Sequence, residues 1–502
     1  MSKEEAYIGI DIGTSSVKAG ILAGASYRVT VRPSGLVTSP AGTAEQDARR
    51  LWAAVSEAVR ELLREERDVR VRAVGLSGHS PSLVAVAPSG EPVTPVVTWM
   101  DRRPLLEDSD GSPCSDAGGV AGGPSFEATV RWFSKHLAST GERTYSLLQP
   151  KDFIGLCLTG RACIDSSSAS CLRWYDGGKG WNGGCGTDVM GVLPPIIHPW
   201  EACGMVTAEA ARETCLPAGI PVASGGIDAF METLGAGILE QGTACDATGT
   251  STCVSLVGSR DAEGAEGGCV RHVVPGRLLA VAPVPYTGGS LKWAMSVLSP
   301  REGGAEASLD WAGPVAQAVA ASPPGASGLV FIPHMVGQRS PRADPQARGA
   351  FIGLRPGHSR ADMLRAVLEG CAYAVRESLE AVLPGLAVEE VRAVGSGAKH
   401  DPWLQIKADV LGVPYVQMAI GEGAVLGAII LAGYCCGDFG SVEEAARRFV
   451  RSNRVFEPDD KARNDYEAMY EAYREAILGL GRAEAVLADL RTDRASGPGP
   501  QG

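Results

Sequence analysis

Three short segments of this chain carry residues that could hold phosphate and move a proton. The first is Asp11-Ile-Gly13-Thr14-Ser15, with Lys18 just beyond it. Glycine lets a backbone turn approach an anion closely, and successive N–H groups in a tight turn form an anion nest. Thr14 and Ser15 add hydroxyl donors, and Lys18 adds positive charge. The second segment, Gly249-Thr250-Ser251, repeats the turn near mid-chain, again with an aspartate just upstream. One such turn would be an ordinary hairpin; two, one per half, point to phosphate. The third segment is Gly225-Gly-Ile-Asp228, where a strand-like run meets two glycines and then sets a carboxylate at a helix start. Phosphoryl transfer needs phosphates held still, a metal to spread charge and a base aimed at the attacking oxygen. Asp228 is the candidate base. Asp11 lies between Ile10 and Ile12, so its carboxylate must pair or meet a metal. A water-mediated Mg²⁺ contact by Asp11, shared with Asp228, suits an ion that keeps much of its hydration shell. The plainer alternatives are a turn-capping role for Asp11 and a dipole-favoured helix start for Asp228.

The elements that must position these residues are legible in outline. Residues 7–22 read as a hairpin around the first Gly-Thr-Ser turn, and 245–257 repeat that pattern. Leu51, Trp52, Val55, Val59, Leu62 and Leu63 follow a helical period. So do residues 360–383, which open with a capping-box pair, Ser359 and Asp362. Strand-like runs lie at 71–76, 83–87, 222–223, 328–332 and 391–394. After the last of these comes a third glycine loop, Gly395-Ser-Gly397-Ala398-Lys399, and then a helix from near Pro402. The loop has the look of a nucleotide contact without the G-x-G-x-x-G fingerprint. Mixed strands and helices over 502 residues predict an α/β protein of two large domains.

The formal net charge of −12 excludes a general affinity for nucleic acid or anionic membranes, because no basic patch relieves it. Arg64, Arg67, Arg70 and Arg72 are interleaved with acids and read as a solvated face. The longest apolar run, 424–436, is too short to span a bilayer and predicts a buried helix. No hydrophobic signal core precedes Tyr7, and the thirteen cysteines show no C-x-x-C pairing. Both observations predict a cytoplasmic protein with reduced thiols.

At this point the motifs resemble a known family, the FGGY carbohydrate kinases, over roughly residues 6–480. The most specific match is Gly349-Ala-Phe-Ile-Gly-Leu354, then seven residues, then Asp362-Met-Leu-Arg-Ala-Val-Leu-Glu369. The two Gly-Thr-Ser turns, Gly225–Asp228 and Gly395–Lys399 agree in order. So do Glu45-Gln-Asp47 with Trp52, Trp99-Met-Asp101-Arg-Arg103, and Leu158-Thr-Gly160 with Asp165 and Ala169. The resemblance implies two actin-like, ribonuclease H-like domains flanking an ATP- and sugar-binding cleft. Residues 1–244 would form the sugar-side domain, 245–485 the nucleotide-side domain, and 486–502 a disordered tail. It implies ATP with Mg²⁺ and a small sugar or polyol as acceptor, a pentulose such as xylulose foremost, with a homodimer as one expected assembly. Asp228 would be the base. Gly13, Thr14, Ser15, Lys18, Gly249, Thr250, Ser251, Gly395, Gly397, Ala398 and Lys399 would join Asp11 at the nucleotide.

The sugar half departs from the pattern. Relatives often carry Gln after Ser-Gly, whereas this chain reads Ser77-Gly-His79-Ser80-Pro81. Thr129 stands near the place of an expected lysine, before Trp132, and 108–123 look loop-like. His79, Ser80, Trp99, Asp101 and Arg103 are the candidate sugar contacts, with Asp228. A packed histidine, a core tryptophan and an Asp101–Arg103 ion pair remain open alternatives. So do a kinase for another polyol such as glycerol or for a signalling carbohydrate, a non-catalytic regulator on the same fold, and an actin-like ATPase.

Overall fold

The computed structural model describes residues 3–39, 42–106, 125–140, 146–172, 174–178, 180–185, 190–258, 269–298, 311–382 and 387–495. The segment 108–123, read above as a loop, lies outside them. The chain forms two compact units. The first comprises Met1–Gln241, Ser255–Ala280 and Glu422–Arg451; the second comprises Gly242–Val254, Val281–Gly421 and Ser452–Gly502.

In the first unit, β1 (Glu4–Ile12), β2 (Ser16–Ala23), β3 (Ser26–Pro33), β4 (Val69–Gly78), β5 (Ala202–Met205) and β6 (Pro221–Ile227) make one sheet. Its order is β5-β6-β4-β1-β2-β3. The antiparallel meander β1-β2-β3 meets β4, which runs parallel to both β1 and β6. Every residue of β1 from Ala6 to Ile12 is buried, as expected of a strand covered on both faces. The helix Ala48–Glu65 packs on the sheet through Leu51, Val55, Val59 and Leu62. Its start is fixed by Asp47, whose carboxylate accepts from the N–H groups of Arg49 and Arg50. The helix Gly423–Cys435 also packs on β1 and β4, and its residues are buried all round through Gly433. It presses on the strands so closely that a Cβ at Gly75 would lie 2.0 Å from the Ala428 carbonyl oxygen, and one at Gly9 2.2 Å from that of Val425. This is the buried helix that the apolar run predicts. Among the described residues no helix is long and apolar enough to cross a membrane.

A second, seven-stranded sheet lies mostly in the second unit and includes β7 (Thr243–Thr248), β8 (Thr252–Val257), β9 (Leu278–Val284), β10 (Glu390–Val394), β11 (Tyr415–Met418) and β12 (Ser452–Phe456), with parts of β8 and β9 counted in the first unit. They neighbour one another in the order β9-β8-β7-β10-β11-β12, with β7, β10 and β11 parallel. A three-residue Gly-Thr-Ser turn joins β7 to β8 as one joins β1 to β2, as the sequence repeat predicts, although the two turns close on different carbonyls, Ser251 and Ser16. The helix Arg360–Val382 opens with the expected reciprocal cap: Ser359 N–H donates to Asp362 Oδ2 (2.8 Å), and Asp362 N–H donates to Ser359 Oγ (3.2 Å). The last helix runs Asp460–Ala495, so the expected tail is helical for its first ten residues. Residues 482–490 are nearly all strong helix formers, and glycine and proline enter only from Gly497.

Candidate functional site

Parallel pairing brings the two candidate acids to one end of the first unit's sheet. On one side of β4, Asp11 registers with Ser77; on the other, Gly226 registers with Ser77 and Ile227 with Gly78. Asp228 follows Ile227 directly. Both acids therefore stand at the carboxyl ends of the two strands that flank β4 and run parallel to it, where open α/β sheets bind ligands. Between Ala223 and Gly226 the register of β6 slips. Gly225 takes φ +70° there, and a Cβ on it would lie 1.6 Å from the Leu76 carbonyl oxygen. Such a bulge re-aims the side chains that follow it.

Asp11 is buried, its Oδ1 accepting from the Ser77 hydroxyl at 2.9 Å and its Oδ2 lying 3.9 Å from Lys18 Nζ. Asp228 is half-buried and opens the helix Asp228–Gly235, with Ala229 N–H donating to Oδ1 at 2.8 Å. Burial, and then the negative charge of Asp11, push the Asp228 carboxyl up to about 7, against the opposing pull of Ala229 N–H and Lys18. Burial alone would lower the Lys18 ammonium. The carboxylates of Asp11, Glu232, Glu422 and Asp228 outweigh it and hold Lys18 above its ordinary value. A carboxyl poised near neutrality at a helix start is the form expected of a general base.

The first Gly-Thr-Ser turn closes with Gly13 N–H donating to Ser16 O at 2.9 Å. It is tied to the candidate sugar contacts. Trp99 Nε1 donates to Thr14 Oγ1 at 2.9 Å, and Gln46 Nε2 donates to Thr14 O at 2.8 Å. His79 is buried, with Nε2 3.0 Å from Gln46 Oε1 and Nδ1 2.7 Å from Ser82 Oγ. Burial lowers its imidazolium to about 3, so the ring is neutral. Asp101 is fully buried and accepts from Ala44 N–H, Arg103 N–H and the Arg103 guanidinium, which also reaches Glu45. Of the candidate sugar contacts, Ser80, Trp99 and Arg103 are partly exposed, while His79 and Asp101 are enclosed.

The sequence names Asp165 here, but not the buried partners Lys151 and Asp152. Lys151 Nζ lies 2.5 Å from Asp152 and 2.8 Å from Asp165, all three withdrawn from solvent. Burial first, then the charge of Asp165, push Asp152 up to about 6 despite Lys151. A Cβ on Gly78 would lie 3.1 Å from Lys151 Cβ, so this cluster braces the end of β4. The available signal was the adjacent Lys-Asp pair directly after Pro150 at a helix start.

In the second unit, Gly249 N–H donates to Ser251 O at 2.8 Å, and Gly249 and Thr250 are exposed. The upstream acid differs from Asp11 in use. Asp246 is fully buried, with Oδ2 2.6 Å from Lys407 Nζ and Oδ1 2.5 Å from Thr248 Oγ1. The repeat thus shares its turn but not the job of its carboxylate. The Gly395–Lys399 loop is a short 3₁₀ turn fastened to this region by Gly395 N–H to Gly421 O (2.8 Å) and Gln417 Nε2 to Ala398 O (2.7 Å).

Among the described residues no three acidic, histidine or cysteine side chains are grouped to hold a metal. One buried carboxylate with a neighbouring second one suits an ion that arrives on phosphates with its own waters, as Mg²⁺ does.

The N-terminal domain profile of the FGGY family of carbohydrate kinases matches residues 6–235, and the C-terminal domain profile matches residues 247–436. A xylulose kinase of Staphylococcus epidermidis is 29% identical over 510 aligned residues, covering 97% of this chain and 99% of that one. Among solved structures, a ligand-bound xylulose kinase from Lactobacillus acidophilus matches with a TM-score of 0.84 at 22% identity, covering 96% of this chain and 100% of that one. A gluconate kinase from the same organism matches with 0.83 at 21% identity over the same shares.

Proposed function

Since the chain belongs to the FGGY family of carbohydrate kinases and is therefore an ATP-dependent sugar kinase, we propose that its acceptor is a pentulose such as xylulose, with Asp228 as general base. The observation that carries the reading is the Asp228 carboxyl, raised to about 7 and set one residue beyond a parallel strand end beside Asp11. Asp228 takes the proton of the attacking hydroxyl. The sugar oxygen forms the new bond to the γ-phosphorus, the bond from that phosphorus to the bridging oxygen breaks, and ADP leaves.

The turns at Gly13–Ser15 and Gly249–Ser251, with Lys18, each donate to phosphate oxygens, and the Gly395, Gly397, Ala398 and Lys399 loop meets the nucleotide. Asp11, with Asp228, would hold hydrated Mg²⁺, which when bound would spread the charge of the phosphates. Trp99, Ser80 and Arg103 face the sugar, with His79 and Asp101 acting from behind them. The cytoplasm, where ATP is made, is the proposed place of the reaction.

The pentulose preference is supported by the name of the Staphylococcus relative, a xylulose kinase. The solved neighbours do not discriminate, because a xylulose kinase and a gluconate kinase match the fold equally well. The test is Mg²⁺-dependent ATP consumption across pentuloses, hexuloses, polyols and aldonic acids, repeated with Asp228→Ala. Turnover with a pentulose that disappears in the variant supports the proposal. Turnover confined to aldonic acids or polyols overturns the substrate, and turnover that survives the variant overturns the base.

A further inference from the structure

Thr14, Gln46, His79, Ser82 and Trp99 form a closed ring of hydrogen bonds, and its directions can be deduced. Gln46 Nε2 faces two backbone carbonyls, Thr14 O at 2.8 Å and Gly13 O at 3.3 Å. Carbonyls only accept, so the amide nitrogen must point to them and Oε1 must point to His79. His79 Nε2, 3.0 Å from that oxygen, is then the protonated nitrogen. Its ring being neutral, Nδ1 is an acceptor, and the Ser82 hydroxyl donates to it at 2.7 Å. Ser82 Oγ in turn accepts from Trp99 N–H at 3.0 Å. The short arm closes the ring, with the Trp99 indole N–H donating to Thr14 Oγ1 at 2.9 Å.

Every bond therefore points away from Trp99 and toward Thr14. An indole N–H donates and never accepts, so Thr14 Oγ1 is an acceptor toward Trp99 and keeps its own proton for another partner. A phosphoryl oxygen only accepts, so the hydroxyl is preset for it. Gln46, His79 and Ser82 are fully or almost fully buried. Nothing from solvent competes for these bonds, and an arm with one member removed leaves a buried polar atom unpaired.

We infer that this ring is a positioning device: His79 and Trp99 fix the Thr14 hydroxyl as a hydrogen-bond donor to the phosphoryl group of ATP. His79 is thus a positioning residue, not a sugar contact. The inference rests on the proposed reading of Gly13–Ser15 as a phosphate turn. It also explains why a histidine suits this place, since it spans from Ser82 to Gln46 with one donor and one acceptor.

The test is steady-state kinetics of the full chain with ATP varied, for His79→Asn, Thr14→Val and the double variant, with thermal unfolding of each. His79→Gln serves as the second variant, because its amide reaches the Gln46 side where that of Asn reaches the Ser82 side. Each His79 substitution is expected to lower kcat/KM for ATP about tenfold, the worth of one buried hydrogen bond. Thr14→Val is expected to lower it at least as much. On the Thr14→Val background, the His79 change is expected to add almost nothing, because no hydroxyl remains to be oriented. Full additivity of the two changes overturns the ring while leaving the phosphate turn standing. So does a fall in stability with kcat/KM for ATP unchanged in both His79 variants. An unaffected kcat/KM in Thr14→Val overturns the phosphate turn and the ring together.

Discussion

Lys407 Nζ lies 2.6 Å from Asp246 Oδ2, and both side chains are withdrawn from solvent. Tyr415 OH donates to the same oxygen at 3.1 Å, and Thr248 binds the other. Asp246 lies near the end of the strand that leads into the second Gly-Thr-Ser turn, and Thr248 ties the pair to it. Removing one partner leaves a buried charge without its counterion. Lys407→Met is therefore expected to cost about 3–5 kcal/mol in denaturant unfolding. Adding Asp246→Leu to it should recover part of the loss, since the orphaned charge is then gone. A neutral Lys407→Met would refute the argument.

Asp228 makes opposite demands on activity and stability. Its folded carboxyl titrates near 7 against an ordinary value of about 4. The folded protein holds this proton more tightly than the unfolded chain does. That contribution to stability is complete below about pH 4 and is lost as the pH rises through 7. Asp228→Asn should thus melt higher than the parent at pH 8, with the difference closing toward pH 4. In the same variant, turnover should fall by about 10²–10⁴-fold, the usual share of a general base. Equal melting shifts at both pH values would show that burial of the charge is not what raises its pKa.

A base must be ionised to act, so with Asp228 in the proposed role of base, kcat/KM for the sugar should decline on the acid side of about pH 7. After burial, the charge of Asp11 is the main cause that raises Asp228. Asp11→Asn should then move the acid limb to lower pH, measured at saturating ATP and Mg²⁺ so that any loss of metal affinity is masked. A limb that stays in place would separate the two carboxylates.

The contact of the helix Gly423–Cys435 with the sheet can be probed by one methyl group. Gly75→Ala would drive a Cβ to 2.0 Å from the Ala428 carbonyl oxygen, where backbone must shift. Overpacking of this kind costs about 1–3 kcal/mol. Gly479→Ala, in the last helix with open space around it, should instead stabilise by roughly 0.5–1 kcal/mol. Chemical denaturation of the two variants should show opposite shifts of the midpoint.

Local chemistry was the legible part of this chain. The two Gly-Thr-Ser hairpins, the Ser359–Asp362 cap and the strand-to-helix switch at Asp228 depend on residues within a few positions of one another. Partnerships across the chain were not legible. Gln46 and His79 are 33 residues apart and Lys407 and Asp246 161 apart, and no local pattern says that these side chains meet. Lys407 stands inside an apolar helical run, a sign that it needs a buried partner, but its sequence does not say which one. The same limit applied to His79, whose partners Ser82 and Gln46 engage both ring nitrogens from positions that no local pattern singles out.

The helix Gly423–Cys435 belongs to the first unit, yet in the chain it comes after the second unit's segments Gly242–Val254 and Val281–Gly421. During synthesis the strands β1–β6 leave the ribosome long before the helix that covers part of their sheet. Until residue 435 is made, the small, apolar surface around Gly9 and Gly75 stays bare, and such surfaces invite self-association. A fragment ending near residue 241 would therefore be a poor protein by itself. The sheet of the first unit gains this cover only when the last fifth of the chain arrives.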